Sequence, residues 1–379
     1  MRPRVLTLFP SAVGGGAERL VFEQMRFHDG SRYDYAAIAL RKGKLHPQFA
    51  AFPCYSTTNA GVKLSPLVLR RLHRIIQSRG IELLHTHLQE ADFYGFWLKR
   101  LNPRLHWIST RHNTDAFRTR AFWRAVNASI SHRTERVIAV SDAVRDFVAS
   151  YERIPMEKLV VVRNGIDLSR FADRPSRDQA RASLNLPTGD FVVGIVGRLS
   201  PQKGHHFLFE AAAKLTAQIP HLRLLVVGEG QLKGRLQRLA RALGIAEKVS
   251  FVGFRPDMGS LYATMDLLAM PSLFEGLPLV LVEALVCEKV AVGARAPGIT
   301  DVIEDGKNGL LVKVGDVDEL AAAIGRVFRG EYDRDMPRRA REAAMAEYDI
   351  KTYLGRLEAI YLEQCRQGST QDTLRSTHE

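Results

Sequence analysis

Residues 272–285 read S-L-F-E-G-L-P-L-V-L-V-E-A-L. The run is apolar enough for burial, yet it carries two carboxylates, Glu275 and Glu283, eight positions apart. A buried acid is costly unless a cation or donor pairs with it, so each needs a partner. Pro278 is tolerated in the first turn of a helix and poorly beyond it, which predicts a helix starting near Leu277. Glu275 and Gly276 then lie in the loop before it, and Glu283 about one and a half turns inside. A helix N-terminus offers free N–H groups and partial positive charge, a ready site for phosphate. A carboxylate in front of that terminus can accept hydrogen bonds from vicinal hydroxyls, and one on the flank can reach a ribose. The plainer reading makes Glu275 a cap and Glu283 a surface residue.

Outward from this stretch, short β-branched runs alternate with amphipathic segments. Strands are expected at 4–9, 35–40, 81–86, 106–110 and 136–140, with helices near 17–28, 66–78, 90–101, 118–132 and 142–151. The second half repeats the pattern, with strands at 191–197, 222–228, 248–253, 266–270 and 289–294 and helices near 204–217, 232–243, 277–286 and 317–329. Continuous apolar strands separated by helices predict parallel sheets covered on both faces. The fold class is therefore α/β, as two Rossmann-like domains. The polar stretch F-A-D-R-P-S-R-D-Q at 171–179 is the expected boundary, which places one domain at 1–175 and another at 185–350. A helix at 351–366 precedes a polar tail, 367–379, expected to be flexible.

The 379 residues suffice for two cores. No apolar run reaches the roughly 18 residues of a membrane span, and the start reads as a first strand rather than a signal peptide. Three cysteines, Cys54, Cys287 and Cys365, show no metal spacing and suit a reducing cytosol; no metal site is expected. The net charge of +13 is lopsided: residues 1–178 hold 29 Lys+Arg against 16 Asp+Glu, and the remainder 25 of each. A basic half points to nucleic acid, an anionic membrane or an anionic substrate, or is only a solubilising surface.

Three further motifs fall at strand ends. V-G-R-L-S-P-Q-K-G at 196–204 delivers Arg198 and Lys203, two cations able to neutralise a diphosphate. P-S-A-V-G-G-G-A-E at 10–18 is a glycine-rich turn between the first strand and first helix, where backbone can approach a ligand. L-L-H-T-H-L-Q at 83–89 places His85 and His87 at another strand's carboxyl end.

Together these features resemble the retaining glycosyltransferases of sequence family four, which have a GT-B fold of two Rossmann-like domains facing a central cleft. The resemblance covers about 1–365, and its most specific mark is E-x7-E, here Glu275 and Glu283. It implies that Glu275 holds donor-sugar hydroxyls and Glu283 the ribose. Arg198 and Lys203 match the diphosphate-binding pair, Gly15 and Gly16 the N-terminal glycine loop, and His87 the histidine beside donor sugar and acceptor. Gly228, Gly253, Gly276, Leu277, Pro278 and Leu279 complete the implied donor site. The helix at 351–366 would cross back onto the first domain. A-P-G-I-T-D at 296–301 departs from the family pattern through Pro297 and Asp301.

The implied reaction moves a sugar from a nucleotide diphosphate-sugar to an acceptor hydroxyl with retention, without cofactor or metal, in cell-surface polysaccharide or glycolipid synthesis. No residue stands out as a covalent nucleophile, so a front-face route is expected. The partners are the donor and a glycan or lipid-linked acceptor. Basic amphipathic segments at 67–79 and 117–126 add an anionic membrane surface, with the protein in the cytoplasm or peripheral on the membrane's inner face. Leu69, Leu72 and Ile76 could equally rest on the sheet. A nucleotide-sugar epimerase of similar architecture is the enzymatic alternative, and a basic nucleic-acid binder the other, although no nucleic-acid motif is present. D-V-D at 316–318 mimics a metal-binding motif but reads as a helix cap.

Overall fold

The computed structural model describes residues 2–13, 15–59, 64–114 and 119–376, with side chains through Arg366. It comprises two units, Met1–Ile166 with Ile350–Glu379, and Asp167–Asp349. The first unit carries β1 (Arg4–Ser11), β2 (Asp34–Arg41), β3 (Tyr55–Thr57), β4 (Leu83–His87), β5 (His106–Arg111), β6 (Arg136–Ala139) and β7 (Leu159–Val161). They form one sheet, ordered β3-β2-β1-β4-β5-β6-β7, with every pairing parallel. The second unit carries β8 (Phe191–Val196), β9 (Leu222–Val227), β10 (Val249–Gly253), β11 (Leu267–Met270), β12 (Val290–Ala294) and β13 (Leu310–Val312). Their order is β10-β9-β8-β11-β12-β13, again all parallel.

The alternation of side chains along a strand sorts each sheet's residues to two faces. Val5 and Phe9 of β1 join Leu20, Val21, Leu357 and Tyr361 on one side. Leu6 and Leu8 join Val68, Leu72, Ile76, Tyr94 and Leu98 on the other. In the second unit Val193, Ile195, Leu224 and Val226 meet Leu208, Phe209, Leu320 and Ile324. Both faces of the strands are therefore dry, which is why the strand sequences are continuously apolar.

Both sheets reverse direction at their centre. The chain moves outward from β1 to β3, then returns across β1 to lay down β4; β8 and β11 repeat the arrangement. Such reversals leave the carboxyl ends of the two central strands unspanned, the usual ligand crevice of open parallel sheets.

The ten expected strands are present, and three more occur at 55–57, 159–161 and 310–312. At three residues each, they are too short to show a period, and sheet pairing alone defines them. Helices at His46–Ala50, Met258–Thr264 and Met336–Glu347 also lack an expected counterpart. The stretch 171–179 is not a loose linker. Ser176 and Gln179 form a capping box that starts the helix Arg177–Ala182. Arg181, fully buried, then donates to the carbonyls of Thr264, Thr188 and Asp190 and to Asp266, which ties the stretch to the second unit. The last helix continues to Ser376, beyond the expected 366.

A buried ionic cluster braces the first sheet. Arg111 is 1% exposed and bonds Asp92 at 2.7 Å, Glu152 at 3.0 and 3.1 Å, and Ser131 at 3.2 Å. It joins β5 to the helices Leu88–Leu101 and Asp142–Glu152. Replacing Arg111 by Leu leaves two buried carboxylates without their cation. Urea unfolding of that variant should show a loss of about 3–5 kcal/mol, whereas Arg338→Leu, at an exposed pair, should leave the midpoint unchanged.

Candidate functional site

The crevice of the second unit lies above β8 and β11, and two loops meet there. The β8 loop runs through Gly197 and Arg198 to a short turn at Pro201–Lys203. Gly204 follows at φ +65°, and a Cβ at this position would lie 2.1 Å from the Pro271 carbonyl oxygen, so only glycine lets the loops come this close. Leu273 N–H donates to the Gln202 carbonyl at 2.8 Å, and Gln202 Nε2 to the Phe274 carbonyl at 2.8 Å. Lys203 Nζ donates to Glu275 Oε1 at 2.7 Å. Glu275 is thus buried and paired with a lysine rather than acting as a helix cap.

The unusual A-P-G-I-T-D segment supports the same loop. Glu275 N–H donates to the Pro297 carbonyl at 2.9 Å, and Asp301 Oδ2 accepts from Gly298 N–H at 3.2 Å. Gly298, at φ +80°, lies where a Cβ would come within 2.4 Å of the Glu275 carbonyl oxygen. The two remaining glycines belong to the neighbouring strand ends. Gly228 N–H donates to the Gly253 carbonyl at 2.8 Å, and Gly197 N–H to the Val227 carbonyl at 2.9 Å.

The helix begins at Leu279, with Pro278 at its N-cap rather than in its first turn. The amides of Gly276, Leu277, Leu279 and Val280 have no acceptor among the described residues. Arg198 is exposed, and its side chain has no partner among them either. A free guanidinium at the end of β8 and unfilled amides at the end of β11 are an anion site by their chemistry. Glu283 is 5% exposed, not on the surface. Tyr262 Oη donates to its Oε2 at 2.9 Å, and Arg170 Nη1 lies 3.6 Å from its Oε1. Burial, then the adjacent carboxylate, holds the Tyr262 phenol well above its ordinary pKa, so it remains a donor. Tyr262 and Arg170 lie in no motif, and only folding brings them to the site; Gln202 lies inside the 196–204 motif, but its bond to the Phe274 carbonyl is not visible there.

Gly15, Gly16 and His87 belong to the first unit. Gly15 is the N-cap of the helix Gly16–Phe27, and a Cβ on Gly16 would border open space. His87 ends β4 and is fully buried; its Nδ1 lies 2.8 Å from His112 Nε2, and its Nε2 has no partner among the described residues. His85 packs against it, with ring centroids 4.2 Å apart and the planes tilted by 41°. Leu88, the next residue, has φ +67°, a strained conformation for leucine that costs about 1–3 kcal/mol and concentrates at functional sites. His112, unremarkable in sequence, joins the cluster because β5 pairs with β4.

The D-V-D motif caps a helix: Asp316 Oδ1 accepts from Glu319 N–H at 3.0 Å. No group of three metal-ligating side chains occurs among the described residues.

Residues 176–346 match the family model described as "Glycosyl transferases group 1", and residues 14–170 the model "Glycosyltransferase Family 4". The D-inositol 3-phosphate glycosyltransferase of Mycobacterium marinum is 33% identical over 266 residues, 65% of this chain and 56% of that protein, little more than half its length. The protein of the same name from Corynebacterium urealyticum is 30% identical over 331 residues, 82% of this chain and 72% of that one. Among solved structures, HepE of Anabaena in complex with UDP-glucose matches with a TM-score of 0.84 at 25% identity, over 95% of this chain and 99% of that one. The two-unit, all-parallel architecture is thus that of GT-B glycosyltransferases.

The buried histidines predict a pH dependence. Burial lowers His85 to about 3, and burial followed by Lys203 lowers His205 to about 4. Burial also holds His87 well below 6.5. Unfolded histidines protonate near 6.5, so their contribution is complete above that pH and is lost as pH falls towards the folded values. The unfolding free energy measured by urea titration should decline from pH 6.5 to 4.5, by up to about 1.4 kcal/mol per pH unit for each histidine. His205→Phe should make the slope shallower.

Proposed function

The chain belongs to the family 4 glycosyltransferases, and from that premise we propose that it moves a sugar from a nucleoside diphosphate donor to an acceptor hydroxyl, with retention at the anomeric carbon. The observation that carries this reading is the anion site at the second unit's reversal point. There, among the described residues, Arg198 has no side-chain partner and the helix amides are unfilled, and Lys203 is held in reserve by Glu275. Arg198 and the amides receive the diphosphate, and Lys203 joins them by exchanging Glu275 for a phosphate oxygen. Glu275, released, accepts hydrogen bonds from the sugar hydroxyls. The partially buried pair keeps both charges satisfied until the donor enters, so both groups are oriented beforehand. As the glycosidic bond breaks, charge grows on the leaving diphosphate, where these cations stand; they supply what a metal supplies in other enzymes.

Glu283, buried and held by Tyr262 and Arg170, is assigned to the ribose hydroxyls, whose hydrogen bonds a carboxylate accepts. His87, with Nε2 unpartnered among the described residues, is assigned to the donor sugar and acceptor. HepE was solved with UDP-glucose, which makes UDP-glucose the first donor to try. A nucleotide-sugar epimerase would use the same anion site, and product analysis with and without acceptor separates the two.

Arg198→Ala and Lys203→Ala should each weaken both UDP and UDP-glucose by about tenfold or more, as expected for lost hydrogen bonds to a charged group. Glu275→Ala should weaken UDP-glucose while leaving UDP unchanged or tighter, because it frees Lys203. Titration calorimetry reads this directly, and equal losses in all three variants would refute the assignment.

For the acceptor we propose a lipid-linked or growing glycan reached at the cytoplasmic membrane face. The apolar stripe of helix Pro66–Arg79 does not serve this purpose, since Val68, Leu72 and Ile76 are buried against the first sheet. The support lies instead in exposed groups: Leu67 at 80% and Phe122 at 69%, with Arg70, Arg71 and Arg74 exposed. Phe117 and Arg118 of the second basic segment lie outside the described residues. No helix among the described residues is long and apolar enough to cross a membrane. At about 1 kcal/mol per cation near an anionic surface, neutralising Arg70, Arg71 and Arg74 should weaken binding to anionic liposomes roughly 100-fold in a low-salt sedimentation assay. Absence of any wild-type binding would leave a soluble acceptor, such as the D-inositol 3-phosphate in the relatives' name.

A further inference from the structure

A hydrogen-bond chain beneath the histidine pair begins at the far end of the sequence. Tyr361, on helix Ile350–Ser376, is fully buried in the first unit. Gln24 Nε2, a donor, lies 3.0 Å from its Oη, and His85 Nδ1 lies 2.6 Å from it. With Gln24 donating to the phenolic oxygen, the phenolic hydrogen has a single acceptor among the described residues, His85 Nδ1. The proton of neutral His85 then sits on Nε2, 2.7 Å from Thr110 Oγ1. Burial holds the Tyr361 phenol well above 10 and His85 at about 3, so both stay neutral at ordinary pH. His87 packs against the His85 ring at a tilt of 41°, is tied through Nδ1 to His112, and is followed by the strained Leu88. A strained backbone persists only where its surroundings over-determine it.

We infer that Tyr361 is a positioning residue for His87: its hydroxyl fixes the tautomer and ring plane of His85, and that ring is the platform that orients His87. The kinetic consequence rests on the reading of His87 as part of the reaction site; the structural consequence does not. The hydrogen bond on one imidazole nitrogen decides where the other nitrogen's proton resides, so the C-terminal helix controls a group it does not touch.

Protein labelled with 15N-histidine tests this by long-range nitrogen–proton NMR. In the wild type, His85 should be the Nε2–H tautomer; finding it as Nδ1–H overturns the inference whatever the variants do. Tyr361→Phe retains the ring in the core and removes only the hydroxyl. It should convert His85 to Nδ1–H or a mixture, and it should shift the ring signals of His87. With UDP-glucose as donor, UDP release should fall at least about tenfold, with KM changed less than twofold, as expected when a reacting group is misplaced. Thr110→Val should leave the tautomer unchanged. A Tyr361→Phe protein with a lower melting temperature but unaltered His85 and His87 signals would reduce Tyr361 to a core residue and overturn the proposal. A tautomer change in Thr110→Val but not in Tyr361→Phe would also overturn it. If the wild type releases no UDP from UDP-glucose, the donor reading falls while the histidine spectra still decide this one.

Discussion

A parallel sheet whose strand order reverses between two neighbours cannot cover the carboxyl ends of those two strands with a connecting loop. One connection leaves to the left, the other to the right, and a gap stays open between them. Both sheets of this protein are built around that constraint, at β1 and β4 and again at β8 and β11. Arg198, Lys203, Glu275, the unfilled amides and the strained Leu88 all stand on the loops and helix starts at these gaps. Most of the chain serves to hold those loops in place.

In the second unit the loops are held by backbone contact at Gly204, by Gln202 between them, and by the Lys203–Glu275 pair. An ion pair of this burial returns little net stability after desolvation, so its value lies in what it holds ready. The pair keeps a cation and a carboxylate oriented at the strand ends, which is what the proposed donor site requires of them. Glu283 is anchored differently, by Tyr262 and Arg170, and gains a fixed rotamer. The two acids of one motif thus have unlike surroundings: Glu275 is paired with Lys203, and Glu283 is held by Tyr262 and Arg170.

The first unit solves the same geometric problem with neutral groups. Its crevice is bordered by histidines whose burial keeps them uncharged, a glycine turn and a residue in the left-handed region. Beneath them, Arg111 with Asp92 and Glu152 locks β5 to two helices, and Tyr361 ties His85 to the C-terminal helix. Residues 1–178 carry the whole net charge of +13, while His85 and His87 among them are fully buried.

Local sequence by itself determined the elements and the motif positions. Ten strands and the E-x7-E helix were legible because each is a run of one period or an apolar stretch interrupted by a residue that needs a partner. Gly204, Arg198 and Glu275 could be placed at strand ends for the same reason. What sequence could not supply was the identity of the partners. Lys203 lies 72 positions from Glu275, Tyr361 lies 276 from His85, and Arg111 lies 41 from Glu152. Side chains that meet over such separations leave no local signal, because nothing in a window of a few residues depends on them. The three-residue strands at 55–57, 159–161 and 310–312 were silent for a related reason, since each is defined by the strand it pairs with. Whether Leu72 and Ile76 faced a bilayer or the sheet was likewise open in the sequence, since one apolar stripe suits either surface. The tertiary structure decided it, because that helix packs Val68, Leu72 and Ile76 into the same core as Leu6, Leu8 and Leu84 of the sheet.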